Sequence, residues 1–168
     1  MATVTFSKGW LADFYSRQES SNGDWNFTEY NTYESLYLKL MSGTIPTDFS
    51  TLTSPADLIG QTLWKKQLTY GDIDKNYTTH GDQTLSSSFE INMNNYQSAR
   101  LSGTVEWFWL YQTTLASGDD GSGSIHWQML GSVGTSGTDL ILPTTSIVNS
   151  KSYRIRGLGF QLNQDYTY

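Results

Sequence analysis

The amino-acid sequence predicts an all-β fold: a single-domain antiparallel β-sandwich, jelly-roll-like, spanning residues 1–168 with at most one short helix near the N-terminus. Three observations predict it. Apolar residues alternate with period two along most of the apolar segments, the signature of a strand with one buried face. Glycine, proline, asparagine and aspartate gather between those segments, where they mark turns. Aromatic residues reach 14% while charged residues are only 15%, against about 25% in a typical soluble domain. Ser, Thr, Asn, Gln and Gly must therefore cover much of the surface, as is common in β-rich proteins that work outside cells or inside large assemblies. A chain of 168 residues is long enough for one domain with a substantial core and short for two.

Each element follows in order. Val4, Thr5 and Phe6 form a short strand candidate. Over residues 9–17, Trp10, Leu11, Phe14 and Tyr15 recur at helical spacing, and residues 18–24 are a polar loop. Residues 33–41 place Leu36, Leu38 and Leu40 on one face and Tyr33, Tyr37 and Met41 on the other. Two apolar faces predict a strand covered on both sides, or one whose outer face meets another chain. Residues 42–60, with Pro46 and Pro55, predict a long surface loop. Loops of that length in a compact domain are usually functional or ordered by a partner. Residues 61–70 read as a strand with Trp64, Leu68 and Tyr70 on one face, and residues 71–83 as a second polar loop. Residues 85–93 alternate cleanly, with Phe89, Ile91 and Met93 inward and Ser88, Glu90 and Asn92 outward.

Residues 100–113 place Val105, Trp107, Trp109 and Tyr111 on one face and Phe108 and Leu110 on the other. The hairpin partner, residues 124–133, is expected to turn Ile125, Trp127 and Met129 inward and His126 and Gln128 outward. Trp107, Trp109, Ile125, Trp127 and Met129 are thus expected in one core hairpin. Residues 139–142 form a short strand ended by Pro143. In residues 152–162, Tyr153 and Ile155 share one parity, whereas Leu158, Phe160 and Leu162 take the other. A period-two strand changes phase only by inserting a residue, so a β-bulge or bend is predicted at Gly157 to Gly159.

Within residues 101–162, an SGT triplet and an aromatic strand are followed by GSVGTSGTDL, then TSIV and a closing alternating strand. This stretch resembles the shared half of a family of small structural proteins encoded among the virion genes of tailed bacteriophages. LYLKLMSGTIP, residues 36–46, resembles that family's strand–SGT–Pro element. The resemblance implies a virion component: a capsid decoration or cement subunit, or else a tail, neck or fibre part. It implies assembly in the bacterial cytoplasm, contact with major capsid or tail proteins, and self-association.

Charge and motifs narrow the chemistry. The net charge is −6 with a pI near 4.7, and Lys65–Lys66 and Arg154/Arg156 are the only close basic pairs. A phosphate backbone needs a concentrated basic patch, so nucleic acid is not the expected partner. No apolar run approaches the roughly 18 residues of a membrane span, and the first residues lack the pattern of a secretion signal. Zero cysteines exclude disulfides and thiolate metal sites.

His80 and His126 lie in no nucleophile motif. Glu90 and Glu106 are the candidate carboxylate pair of a glycoside hydrolase, the less favoured reading, with Trp107, Trp109 and Trp127 as sugar-stacking surfaces. Asp72, Asp74 and Asn76 have calcium-loop spacing, but Tyr77 and Gln83 stand where such a loop needs glycine and glutamate. Asp119 and Asp120 read first as turn formers, with a looser calcium site there or in the loop after Gly71 as the less favoured reading. No catalytic residue, metal or cofactor is expected. Tyrosines beyond the needs of one core, with the apolar residues of the long loop, point to protein contacts. The expected interface is Tyr30, Tyr33, Tyr37, Ile45, Phe49, Leu52, Tyr166 and Tyr168. A carbohydrate-binding module for host glycans is the alternative.

Overall fold

A computed structural model describes residues 5–6, 34–47, 49–80, 84–114 and 125–165. The helix expected at 9–17 and the loop at 18–24 lie outside them. The strands are β1 (Thr5–Phe6), β2 (Glu34–Met41), β3 (Thr62–Leu68), β4 (Ile73–His80), β5 (Thr84–Asn92), β6 (Gln97–Ser98), β7 (Gly103–Thr104), β8 (Trp107–Thr114), β9 (Ile125–Gly134), β10 (Leu140–Ile141), β11 (Ser146–Ile147), β12 (Ser152–Tyr153) and β13 (Arg156–Asp165). Two single-turn 3-10 helices, Ile59–Gln61 and Tyr70–Asp72, flank β3.

The main sheet has the order β1-β9-β8-β2-β3, with β10 added parallel to β9 and every other pairing antiparallel. β2 lies inside it, between β8 and β3, and both of its apolar faces are covered within the chain. Leu36, Leu38 and Leu40 enter a first core cluster, and Tyr37 and Met41 a second. Cross-strand pairing continues the division: Leu38 stands opposite Leu110 and Leu40 opposite Phe108, while Tyr37 meets Tyr111 and Met41 meets Trp107. Such directly opposed pairs are the units that stabilise a sheet.

Bulges decide which face each later residue takes. In the β2·β3 ladder, Leu40 pairs with Trp64 and Met41 with Thr62, leaving Leu63 as the extra residue. Leu63 and Trp64 consequently join the same cluster. In the β8·β9 ladder, Gln112 pairs with Trp127 and Thr113 with Ile125, leaving His126 between them. This corrects the expected core hairpin. Met129 stands opposite Leu110 and packs in the first cluster, whereas Ile125 and Leu130 pack with Trp107 and Trp109 in the second. One inserted residue reverses the parity of everything beyond it. Val105 also joins the first cluster rather than the tryptophan face, because regular pairing starts only at Trp107.

The polar stretch after Gly71 is corrected as well. It forms β4, paired with β5 from Ile73↔Ile91 to His80↔Thr84. As the outer strand of the sheet β13-β5-β4, it shows no period-two apolar signal, and strand preference there depends on context. The predicted bulge in the last strand is present. Arg156 pairs with Asn92 and Leu158 with Ile91, and the inserted Gly157 has φ +78°.

From this sheet two segments of the chain, following β5 and preceding β13, run side by side. Met93 N–H donates to Ile155 O, β6 pairs with β12, Ala99 N–H donates to Lys151 O, β7 pairs with β11, and Val105 N–H donates to Thr145 O. The ribbon is tied to β3: the N–H groups of Arg100 and Leu101 donate to Leu63 O, and the Trp64 indole donates to Gln97 O at 2.8 Å. The first cluster therefore gathers Leu38, Phe108 and Met129 from the main sheet with Ile91 and Leu158 from the three-stranded sheet and Ala99, Ile147 and Ile155 from the ribbon. The fold is all-β and rich in antiparallel pairing; a sandwich of two complete layers is a finer description than these pairings supply.

Candidate interaction surface

Residues 42–61 leave β2 and return to its neighbour β3 as a strap. Ser42 N–H donates to Gln61 O at 2.9 Å, closing the loop at its base. Gly43, at φ +82°, donates its N–H to the Glu106 carboxylate, and the Trp107 indole donates to Ser42 O at 3.2 Å. Farther along, the Asp57 carboxylate accepts from the N–H groups of Thr53 and Ser54, both at 2.8 Å. The strap turns inward: Leu52 is 1% exposed, and half-buried Ile45, Phe49 and Leu58 pack beside it on Tyr37, Met41, Trp107, Trp109, Tyr111 and Leu130. An uncovered patch of that size and aromatic content would be a site for association.

Polar side chains on the sheet hold the strap's main chain. Lys39 is fully buried, its ammonium donating to Pro55 O while lying 5.0 Å from the Trp109 ring centre and 5.4 Å from that of Tyr111. A buried charge is tolerated only with such compensation. Gln128 accepts from the Trp109 indole and donates to Leu52 O, both at 2.9 Å. Sequence reasoning assigned Gln128 to the outside and gave Lys39 no role. Lys39 shares the parity of Tyr37 and Met41, which was the available signal for it, whereas Gln128 reaches the tryptophan side only through the β8·β9 register, in which it stands opposite Tyr111.

The residues expected at an interface thus divide. Tyr37 and Leu52 are buried in the chain's own second cluster, and Ile45 and Phe49 pack against it. Within the chain their apolar surface covers the sheet. Tyr30, Tyr33, Tyr166 and Tyr168 lie outside the described residues. Among the described residues, the large apolar side chains that are exposed lie elsewhere: Tyr96, Leu101 and Val148 along the ribbon, Ile141 beside β9, and Ile59 at the strap's end. None belongs to a periodic pattern, so periodicity could not find them. Tyr96 is 60% exposed, with the Arg154 guanidinium 4.6 Å from its ring centre.

The candidate sugar platforms Trp107 and Trp109 are fully buried, as is Trp64, and all three indole N–H groups are bonded within the chain. Trp127 has no described side-chain placement. Glu90 and Glu106 do not lie on neighbouring strands: the strand of Glu90 pairs with β4 and β13, whereas Glu106 precedes β8, which pairs with β2 and β9. Glu106 clamps the strap, and Asp139 plays a similar part, accepting from Ser132 N–H and Oγ at 2.7 Å each.

Asp72 closes the turn between β3 and β4. It accepts from Lys66 Nζ at 3.0 and 3.1 Å, from Thr69 N–H at 3.0 Å and from Thr69 Oγ1 at 2.8 Å. Burial pushes its carboxyl up, but the Thr69 and Lys66 bonds to the charged form outweigh burial and hold it below the ordinary carboxylate value. Asp74 and Asn76 follow in the β4 ladder, opposite Glu90 and Ser88, rather than wrapping a loop. Among the described residues, no group of three or more His, Asp and Glu assembles, and no helix is long and apolar enough to cross a membrane. Comparison with known proteins gives no matching family model, curated protein or solved structure.

Proposed function

We propose that this chain is a non-enzymatic structural subunit of a tailed-phage particle, one that coats or joins a larger shell, with a tail, neck or fibre position as the neighbouring assignment. The observation that carries the reading is how the two stretches bearing the family resemblance fit together. The described residues of 36–46 and 101–162 adjoin: β2 pairs with β8 from Glu34↔Thr114 to Met41↔Trp107, and Gly43 of the first SGT triplet is held by Glu106. The acids Asp72, Glu106 and Asp139 are engaged in holding main chain, which suits a scaffold. Exposed Tyr96, Leu101 and Val148 on the ribbon supply apolar area for contact with capsid or tail proteins. Repetition of weak contacts around a particle makes the attachment collectively strong.

Mass spectrometry of purified particles tests the reading, together with imaging of particles carrying the tagged chain. The chain is expected in stoichiometric amount on the shell or tail. Its absence from particles in cells that express it would overturn the proposal. A second reading, host-glycan binding, is favoured by one observation, the exposed ring of Tyr96 beside Arg154. Glycan-array signal that Tyr96→Ala abolishes would support it, and an array without signal would remove it.

A further inference from the structure

The three-stranded sheet ends in β4, and among the described residues no strand pairs with its outer edge. An open edge presents a row of main-chain donors and acceptors, which proteins normally blunt with bulges, proline, short length or a covering segment. The other described edges are treated in these ways. β3 is followed by Arg100 and Leu101, whose N–H groups donate to Leu63 O. β9 is flanked by β1 and β10, and β13 is bent at its start by the bulge at Gly157 and carries a second glycine at 159, although from Leu158 to Asp165 its register is continuous. β4 is different: it runs in unbroken register from Ile73 to His80 and contains neither glycine nor proline.

We propose that β4 is a strand-addition interface whose occupant is β4 of a second copy of this chain, paired antiparallel about a two-fold axis. The three-stranded sheets of the two copies then form one continuous sheet. The choice of occupant comes from the strand's own sequence, IDKNYTTH. With the axis at Tyr77, Asp74 stands opposite His80 of the second copy at both ends, Lys75 stands opposite Thr79, and no like charges meet. An axis at Asp74 or Lys75 would set like charges face to face, which destabilises cross-strand pairs. Asp74 and Lys75 balance within the strand, so two β4 edges approach without the repulsion implied by the chain's net charge of −6. The contact is isologous and closes at two copies, whereas β4 on β13 of a neighbour would repeat without closing. Membership of a particle is not required, so this inference and the functional proposal fail separately.

The chain has no cysteine, so single-cysteine variants of the full-length protein report the register directly. Sedimentation velocity is expected to show a concentration-dependent monomer–dimer equilibrium. Under mild oxidation Tyr77→Cys should give the highest yield of disulfide dimer, with Lys75→Cys and Thr79→Cys lower and ribbon control Thr104→Cys near zero. Asp74→Lys is expected to weaken dimerisation about tenfold, and Asp74→Lys with His80→Asp to restore it. A monomer at every concentration, an open polymer, or equal cross-linking at Thr104 and residue 77 would overturn the assignment.

Discussion

Gly131 and Gly157 are both fixed as glycine, for different physical reasons. A Cβ at Gly131 would stand 2.3 Å from Cε1 of the fully buried Phe108 ring. Gly131→Ala therefore overpacks the first cluster and is expected to lower stability by about 1–3 kcal/mol, read as a lower urea midpoint. Gly157 meets nothing closer than Glu90 Oε1 at 3.5 Å, but its φ is +78°. Gly157→Ala should cost about 1–2 kcal/mol through the backbone, and Gly157→Asn less, since Asn tolerates positive φ better. Asp72 adds a pH dependence. Its folded-state carboxyl is held below the ordinary carboxylate value by the Thr69 and Lys66 bonds, so its stabilisation is complete above the unfolded-state value of about 3.9. That contribution is lost as the pH falls from there through the lower folded-state value. Asp72→Asn should flatten this acid limb in chemical denaturation, and at neutral pH it should cost about 3 kcal/mol because Lys66 remains buried with its charge uncompensated.

At the scale of elements, the strap is the least self-sufficient piece. None of its described residues lies in a strand, and its cover over the aromatic face rests on Leu52, on neighbouring half-buried side chains, and on the Lys39 and Gln128 bonds to its carbonyls. Gln128→Leu leaves both the Trp109 indole and Leu52 O without this partner and is expected to cost about 2 kcal/mol. Because the loss falls on the strap, limited proteolysis between residues 45 and 58 should accelerate more than global unfolding does. Equal acceleration of both would mean the strap is not a separate opening unit. The position of this loop was legible from its prolines and turn formers. Its inward orientation was not, because the face it covers is assembled from β2, β8 and β9. The polar strand β4 was misread for a related reason: an edge strand needs ladder partners, not an apolar stripe.

At the scale of the molecule, the first cluster joins residues of both sheets and the ribbon. A core shared in this way makes the sheets unfold together. Thermal unfolding followed by tryptophan fluorescence and by far-UV circular dichroism should give one coincident transition. The test discriminates between parts because Trp64 lies in the first cluster and Trp107 and Trp109 in the second. Separate midpoints would show that the face beneath the strap melts independently.

The sequence by itself determined the all-β class, the two-faced character of β2, the clean strand β5 and the bulge at Gly157. All are local: alternation and a phase change are written along one stretch of chain. Only the tertiary structure decided that Met129 packs with Leu110 rather than with Trp109, that Leu52 points inward, and that Glu90 lies in the three-stranded sheet while Glu106 precedes β8. Those outcomes depend on bulges at Leu63 and His126 and on which distant strand becomes a neighbour. Period-two patterning specifies that a side chain has a buried face, but the identity of its cover is set by pairing between segments far apart in the chain.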